Sequence, residues 1–397
     1  MFETLEQRPA DSLLMLIKEF NNDPRPGKID LGVGIFRDAA GNTPVLRAIK
    51  AAEKVLLETQ DTKKYLGPEG DLGYVKALKT LLLEGTSGLE ARLTGLQTPG
   101  GTGALRLGAE LVRVARPDAT VWIGAPTWPN HEPIMKAGPL KVATYPFIDL
   151  KTQTIDFAKT LEVLNTAAVG DVVLLHGCCH NPTGADYSAE EWKQIAATVA
   201  ERKLVPFIDL AYQGLGDGLH EDAAGLRTVL GAVDEALVAY SCDKNFGMYR
   251  ERVGGLYVLT RDEAEARRTD SNLALLARVN WSMPPDHGAA AVRVVLESAE
   301  LTAMWKAELQ DMGDRIRGNR KALAAAHPEL GFIAQQKGLF STLSMSKEAA
   351  VAVRQKHGVY ITGGGRMNLA GMQPADAKTI VDALVAEGCI SAVAAAV

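Results

Sequence analysis

Residues 204–210 have the sequence LVPFIDL, a short apolar run that ends beside a carboxylate. Apolar runs of the same kind recur at 121–124 (VWIG), 171–177 (DVVLLHG), 236–242 (ALVAYSC) and 255–260 (GLYVLT). Their apolar residues are continuous rather than alternating, which is typical of strands buried on both faces of a mostly parallel sheet. We therefore predict that these five runs are strands of one such sheet.

Helical patterns separate the predicted strands. Ser188-Ala189-Glu190-Glu191 forms a capping box that predicts a helix from there to about Lys203. Residues 98–103 (TPGGTG) are predicted to form a glycine-rich turn, followed by a helix over 104–115. This alternation predicts an α/β fold whose doubly wound core has about 270 residues.

The sequence changes character near residue 312, where a smaller α/β segment begins that ends in a helix over 375–387. A basic helix over 314–326 marks the expected boundary. The N-terminal segment is expected to pack against the smaller domain. We predict an N-terminal segment at 1–40, a large ligand-binding domain at 41–312 and a small C-terminal domain at 313–397.

Composition excludes several classes of protein. The 397 residues carry a formal net charge of −5 with both signs mixed, which argues against nucleic acid or an anionic membrane as a partner. The first residues lack the pattern of a signal peptide, and no apolar run is long enough to span a bilayer. Four cysteines in so long a chain do not make a disulfide scaffold. We expect a cytoplasmic protein.

Chemically useful side chains follow the predicted strands. In open parallel sheets, ligands bind beyond the carboxyl ends of the strands, so residues that follow different strands meet at one edge. The residues in these positions are Trp128 and His131, Asn181, Asp209 and Tyr212, and Ser241 and Lys244. This convergence predicts a ligand site at that edge.

These residue types suit a phosphorylated pyridine aldehyde as the ligand. A desolvated lysine such as Lys244 can lose its proton and form an imine. The carboxylate of Asp209 can keep a pyridine nitrogen protonated, and Trp128 can stack on the ring. Gly101-Thr102 at a helix start, together with Arg252, can bind a phosphate.

Each feature also has an interpretation without function. A lone lysine is usually solvated, and an aspartate that ends a strand is usually a turn or cap residue. Residues 100–103 lack both the third glycine of a dinucleotide fingerprint and the Lys-Ser/Thr of a P-loop. The run 176–180 (HGCCH) suggests metal ligands, but adjacent cysteines do not easily face one ion, so we predict buried core and no metal.

At 241–247 (SCDKNFG) and 180–184 (HNPTG) the chain strongly resembles the class I aspartate and aromatic aminotransferases, which are fold-type I enzymes dependent on pyridoxal 5′-phosphate (PLP). The resemblance covers almost the whole chain. Further matching segments occur in order at 31–34, 65–67, 99–106, 126–131, 209–214, 251–254 and 366–371.

The resemblance implies a role for each cofactor residue. Lys244 would be the Schiff-base lysine and the proton shuttle, and Asp209 would pair with the pyridinium with His131 behind it. Tyr212 and Asn181 would hydrogen-bond the phenolic oxygen of the cofactor. The remaining contacts would come from Trp128 on the ring, from Gly101, Thr102, Ser241 and Arg252 at the phosphate, and from Tyr65 of a neighbouring subunit.

The resemblance also implies how substrates bind. Arg366 would clamp the α-carboxylate, and Arg278 of a neighbouring subunit would meet a side-chain carboxylate. Gly34, Trp128 and Asn181 would complete the substrate site. The chain would act as a homodimer with shared sites, would close its smaller domain over the substrate, and would pass amino groups to 2-oxoglutarate by a ping-pong mechanism.

Three positions depart from the family pattern. Asp243 stands where many members have a serine beside the phosphate, and its charge would repel that phosphate unless it turns away or pairs with Arg252. Trp281 replaces a tyrosine and Met283 replaces a polar residue, and both enlarge the apolar surface beside Arg278. These two changes, with Ile35, favour an enzyme that accepts aromatic as well as dicarboxylic amino acids.

Two alternatives stay open on the same scaffold. A strict aspartate aminotransferase would keep the Arg278 clamp without an aromatic substrate, and a PLP-dependent lyase would break a different bond at the substrate Cα. A third possibility, a PLP-sensing regulator with a DNA-binding head, is disfavoured because the chain is acidic.

Overall fold

The computed structural model describes residues 1–8 and 10–392. Within these residues the strands are β1 (Ile29–Asp30), β2 (Leu93–Pro99), β3 (Thr120–Ala125), β4 (Lys141–Pro146), β5 (Ile148–Asp149), β6 (Thr154–Ile155), β7 (Val172–His176), β8 (Val205–Leu210), β9 (Ala236–Ser241), β10 (Val253–Leu259), β11 (Phe340–Thr342), β12 (Val359–Tyr360) and β13 (Arg366–Asn368). The α-helices are α1 (Ser12–Asn22), α2 (Arg47–Thr59), α3 (Leu72–Leu83), α4 (Gly100–Ala115), α5 (His131–Ala137), α6 (Phe157–Thr166), α7 (Ala189–Glu201), α8 (Ala224–Ala232), α9 (Glu263–Trp281), α10 (Asp286–Glu297), α11 (Ala299–Ala326), α12 (Lys347–His357) and α13 (Ala377–Ala386).

A seven-stranded sheet in the order β2-β10-β9-β8-β7-β3-β4 forms the centre of the molecule. All neighbouring strands in it are parallel except β10, which is antiparallel to both β2 and β9. The five predicted strands are all present in this sheet, as β3, β7, β8, β9 and β10. The predicted α/β class with a mostly parallel sheet is confirmed.

The sheet is buried on both faces, which explains the continuous apolar runs. Phe207 and Ile208 are neighbours on β8 and are both fully buried, yet they belong to two different apolar clusters. Successive side chains of a strand point to opposite faces, so each cluster covers one face of the sheet. Helices α2, α3, α7 and α10 contribute to one cluster, and helices α4, α5 and α9 contribute to the other.

Two helix starts can be compared with their predictions. The capping box of α7 is present, with Ser188 Oγ accepting from the Glu191 N–H and Glu191 Oε2 accepting from the Ser188 N–H. The prediction of a turn over 98–103 is wrong, because α4 already begins at Gly100. The reason is close packing: a Cβ on Gly101 would lie 3.0 Å from Ser241 Cβ. The glycines therefore bring the first turn of α4 against the end of β9.

A smaller group of elements lies beside the sheet. Ile29 on β1 pairs in parallel with Val359 on β12, and β11 pairs antiparallel with β13. Ile29, Leu323 and Val359 share a third apolar cluster. The predicted helix over 375–387 is a short 3-10 turn, Pro374–Asp376, followed by α13.

Helix α11 joins the two regions. Its 28 residues run without a break across the predicted boundary at 312/313, with Met312 in the first apolar cluster and Leu323 in the third. The division into 1–40, 41–312 and 313–397 stays a prediction, and residues 393–397 of its last segment lie outside the described residues. No helix in the described part of the chain is long and apolar enough to cross a membrane.

Trp305 on α11 supports the loop that carries Lys244. Its fully buried indole stacks on Phe246 with ring centroids 4.3 Å apart, and Nε1 donates to the Asn245 carbonyl at 2.8 Å. Because Asn245 and Phe246 directly follow Lys244, α11 holds this loop against the core.

We expect Trp305→Ala to lower the free energy of unfolding by about 3–5 kcal/mol, because it empties a packed volume. Trp305→Phe keeps an aromatic ring but loses the hydrogen bond, so a loss of only about 1 kcal/mol is expected. Urea unfolding followed by circular dichroism measures both values. Equal stabilities of the alanine variant and the wild type would contradict this assignment.

Candidate active site

A cleft of about 450 Å³, partly open to solvent, lies at the carboxyl ends of β7, β8 and β9. The cleft is lined by Gly101, Thr102, Leu105, Trp128, His176, Asn181, Asp209, Ala211, Tyr212, Ser241, Asp243 and Lys244. Eight of the residues predicted from the sequence therefore meet here.

Lys244 follows β9, and its side chain is only 20% exposed. Burial lowers the pKa of its ammonium group, while the carboxylates of Asp243 and Asp209 raise it less strongly. The Nζ atom lies 3.7 Å from Asp243 Oδ2 and 5.7 Å from the centroid of the Tyr212 ring. A lysine with a lowered pKa is the kind of amine that can attack a carbonyl carbon.

Asp209, the last residue but one of β8, lines the cleft and is 8% exposed. Its Oδ2 lies 3.0 Å from His131 Nε2, and His131 Nδ1 lies 2.7 Å from the hydroxyl of Thr127. Burial by itself raises the pKa of Asp209, but the hydrogen bond to His131 and the nearby His176 and Lys244 lower it more. Asp209 is therefore held ionised, as a carboxylate facing a cationic ring nitrogen must be.

Tyr212 and Asn181 lie side by side, with Asn181 Nδ2 3.4 Å from the Tyr212 hydroxyl. Burial and the charge of Asp209 raise the pKa of Tyr212, while Arg366 opposes them. The phenol therefore keeps its proton and can donate a hydrogen bond into the cleft.

Arg366 on β13 approaches the cleft from the smaller group of elements. Its guanidinium lies over the Phe340 ring at 4.5 Å, Nη2 donates to the Gly32 carbonyl at 2.9 Å, and Nη1 lies 3.5 Å from Asn181 Oδ1. Its Nε is buried and has no hydrogen-bond partner within residues 1–8 and 10–392. Gly34 leaves room for the Phe340 ring under Arg366, since a Cβ on Gly34 would lie 2.8 Å from Phe340 Cζ.

The first turn of α4 and Arg252 form a cradle. A Cβ on Gly100 would lie 2.5 Å from Arg252 Nη2, so only glycine allows this approach. The N–H groups at the start of a helix have no partner within it and attract anions. Ser241 contributes a hydroxyl beside Gly101. Arg252 Nη1 also donates to Asp243 Oδ2 at 2.6 Å, a pairing that the sequence left undecided.

The structure brings together Lys244, Asp209, Tyr212, Asn181, Trp128, Gly101, Thr102 and Ser241 in the cleft, with His131, Arg252, Arg366 and Gly34 around it. Two predicted residues lie elsewhere: Tyr65 is 92% exposed, and Arg278 is exposed on α9. Neither lines the cleft of its own chain. That both residues act on a neighbouring subunit stays a prediction.

Sequence reasoning missed two residues of the site. Thr127 links His131 to His176, since its hydroxyl lies 2.7 Å and 3.1 Å from their ring nitrogens. Its place next to Trp128 was a signal that could have identified it. Phe340, under Arg366, follows no motif and gave no such signal.

The adjacent cysteines Cys178 and Cys179, in the run 176–180, have an environment that does not favour a metal site. The sulfur atoms of Cys178 and Cys179 and a carboxylate oxygen of Asp222 lie within 4.8 Å of one another. The oxygens of Asp222 already accept three backbone N–H groups, from Gly214, Gly216 and Asp217. The hydrogen bond with Cys179 and burial raise the pKa of Cys178, so this thiol stays protonated, whereas metals bind thiolates. The absence of a metal stays a prediction.

The donor set fits a phosphorylated pyridine aldehyde. The amine, the carboxylate and the first turn of α4 line one cleft, and Arg366 contacts Asn181 of that cleft through Nη1 at 3.5 Å. A family model described as aminotransferase class I and II matches residues 26–384.

Curated relatives and solved structures match over nearly their full length. A tyrosine aminotransferase of Rhizobium meliloti is 51% identical over 96% of this chain and 98% of its own. An aspartate aminotransferase of Escherichia coli is 41% identical over 97% of this chain and all of its own. The crystal structure of an aromatic-amino-acid aminotransferase from Burkholderia pseudomallei, covalently bound to pyridoxal phosphate, matches with a TM-score of 0.93 and 38% identity over 98% of this chain and 99% of that one.

The buried histidine beside the cleft predicts a pH dependence of stability. Burial lowers the pKa of His176 to about 3, with His131 adding to the effect and Asp209 opposing it. The pKa in the unfolded chain is about 6.5. Below that pH the unfolded state binds a proton that the folded state refuses, so stability falls as the pH decreases from about 6.5 towards 3.

We expect His176→Gln to remove this contribution. Between pH 6.5 and pH 4 the variant should lose less unfolding free energy than the wild type, by up to about 3 kcal/mol at 1.36 kcal/mol per pH unit. Urea unfolding at several pH values measures the difference. His287→Gln, at a half-exposed histidine, is the control and should follow the wild type. Parallel pH profiles for all three proteins would refute the prediction.

Proposed function

The chain belongs to the class I and II aminotransferases, and on that basis we propose that it transfers the amino group of aromatic and dicarboxylic L-amino acids to 2-oxoglutarate. It is an aminotransferase of a PLP-dependent family. The observation that carries the proposal is the single cleft in which Lys244, Asp209 and Tyr212 meet, with Arg366 at its edge. The tyrosine and aspartate aminotransferases among its relatives support both substrate classes.

The cleft residues would hold PLP in one orientation. When bound, PLP supplies an aldehyde that accepts the amino group and a ring that withdraws electrons from the reacting carbon. Lys244 would attach the cofactor covalently, and Asp209 would face the ring nitrogen. Tyr212 would donate its hydroxyl proton to the phenolic oxygen with Asn181 beside it. The remaining proposed contacts are Trp128, His131, Gly101, Thr102, Ser241, Arg252 and, from a second subunit, Tyr65.

Lys244 is also the proposed proton carrier. Its lowered pKa leaves an amine that can accept a proton at Nζ and return it. A general base works best when its pKa is near the operating pH, and burial shifts a lysine in that direction. Lys244 would take the proton from the substrate Cα and deliver it to the cofactor.

Arg366 is the proposed site for the α-carboxylate of the substrate. Its partners are a carbonyl, an amide oxygen and a ring face, and none of these is an anion. A buried guanidinium without a counter-ion favours binding of a carboxylate, which can accept two parallel hydrogen bonds from it. Gly34, Trp128 and Asn181 would border the same substrate.

A homodimer is part of the proposal. Leu57, Tyr65 and Val279 are each more than three-quarters exposed, and large apolar side chains at a surface are typical of subunit interfaces. Tyr65 and Arg278 would reach the cleft of the second subunit. Arg278 would pair with a side-chain carboxylate, and Trp281, Met283 and Ile35 would form apolar surface for an aromatic ring. The cytoplasmic location stays part of the proposal.

A strict aspartate aminotransferase is the second candidate, because the Escherichia coli relative is named an aspartate aminotransferase. The ratio of kcat/KM for tyrosine or phenylalanine to kcat/KM for aspartate separates the two candidates. An aromatic-accepting enzyme uses both classes of substrate, whereas a strict aspartate enzyme discriminates strongly against the ring.

Lys244→Ala tests the central assignment. We expect the variant to retain PLP without a covalent bond and to lose turnover by at least about 10³-fold, because both the attachment and the proton carrier are gone. Borohydride reduction and mass spectrometry should show cofactor fixed to the wild type and to the control Lys136→Ala, whose lysine is exposed, but not to the variant. Near-normal transamination by Lys244→Ala would overturn the assignment.

Arg278→Ala tests the side-chain clamp and the shared site together. It should reduce kcat/KM for aspartate and glutamate far more than for phenylalanine. Only aspartate and glutamate have a side-chain carboxylate, which would lose its partner in the variant. Mixing Arg278→Ala with Lys244→Ala under conditions that exchange subunits should restore aspartate activity, since one site of each hybrid is intact. Equal losses for all substrates would contradict the side-chain clamp. No restoration of aspartate activity on mixing would contradict a site shared between the two subunits.

A further inference from the structure

Asp243 introduces a negative charge next to the anion cradle. Its side chain is 6% exposed, and Oδ2 lies 2.6 Å from Arg252 Nη1 and 3.7 Å from Lys244 Nζ. Its Oδ1 is buried and has no hydrogen-bond partner within residues 1–8 and 10–392. Many members of the family have a serine at this position, so the negative charge beside the cradle distinguishes this chain from those members.

The guanidinium of Arg252 is already half engaged. Nη1 donates to Asp243 Oδ2 and to the Tyr249 carbonyl at 3.2 Å. Nη2 and Nε have no acceptor in the described part of the chain, and Nη2 lies against Gly100 at the start of α4. A phosphate in the cradle would therefore meet one free edge of Arg252, while the other edge is bound to a carboxylate.

The groups around Asp243 do not offset a second anion. The basic groups that face it are Arg252 and Lys244, and burial lowers the pKa of Lys244; Asp209 is a further carboxylate nearby. Ser241 Oγ accepts the backbone N–H of Asp243 and gives no donor to its carboxylate. A phosphate that enters the cradle must share Arg252 with Asp243 or displace it, and in both cases two like charges lie close together in a site with little water.

We propose that Asp243 is a built-in counter-ion of Arg252 that competes with the phosphate of the cofactor, so that PLP is held less tightly than the cradle alone would allow. The inference rests on the proposed PLP site. It makes Asp243 a determinant of cofactor affinity, through which the fraction of loaded enzyme follows the supply of PLP. A serine in this place would add a donor and no charge.

The test compares two ligands that differ only in the phosphate. Dissociation constants for PLP and for pyridoxal are measured by equilibrium dialysis on Lys244→Ala and on the double variants that also carry Asp243→Asn or Asp243→Ser. Removing Lys244 eliminates the covalent step, so that only non-covalent contacts remain. The control is Asp382→Asn in the same background, which removes one negative charge from the exposed face of α13.

We expect both Asp243 substitutions to tighten PLP binding by about tenfold or more, and the binding of pyridoxal to change by less than about twofold. The Asp382 control should change neither constant. Because pyridoxal binding reports on the folded cleft, a misfolded variant would be recognised by its loss. An unchanged or weakened affinity for PLP, or an equal gain for both ligands, would overturn the inference while leaving the proposed function intact. Failure of the wild-type enzyme to bind PLP would overturn the proposed function itself.

Discussion

The site depends on charged groups being kept in a cleft from which much of the water is excluded. A charge that loses its hydration must find a partner or change its protonation state. Asp209 pairs with His131 and stays ionised, whereas burial lowers the pKa of Lys244 in spite of the carboxylates of Asp243 and Asp209. Both pKa values are lowered, which favours the ionised carboxylate of Asp209 and the neutral amine of Lys244 within one cleft. The remaining structure serves to keep both in place.

The sheet places these groups because its strands end together. β7, β8 and β9 are parallel neighbours, so the residues that follow them emerge at one edge. Burial of both faces makes the strands rigid supports, and α11 holds the loop after β9 through Trp305. Glycines at the start of α4 allow backbone and guanidinium to approach where a Cβ would collide. Packing far from the cleft thus determines the positions of atoms within it.

Most of the site was predictable, and the exceptions have physical reasons. Asp209 lies at the end of an apolar run, and Asn181 and Lys244 follow such runs, so the shared edge of parallel strands predicted their convergence. The turn predicted over 98–103 was wrong, because glycines that weaken an isolated helix are tolerated where the helix packs closely against β9 and β10. Phe340 could not be predicted, since it reaches Arg366 through the pairing of β11 with β13. No local pattern encodes such a distant contact.

The sequence by itself determined the α/β class, the strands, the sheet edge of the candidate site and the family, because hydrophobic periodicity and clustered motifs are local properties. Only the tertiary structure decided which of the polar and charged side chains contact one another. Arg252 is nine residues from Asp243, and Arg366 is 185 residues from Asn181, yet both pairs are in contact. The protonation of Lys244 depends on burial and on the summed charges around it. Those quantities are set by distances in space, which the order of residues along the chain does not contain.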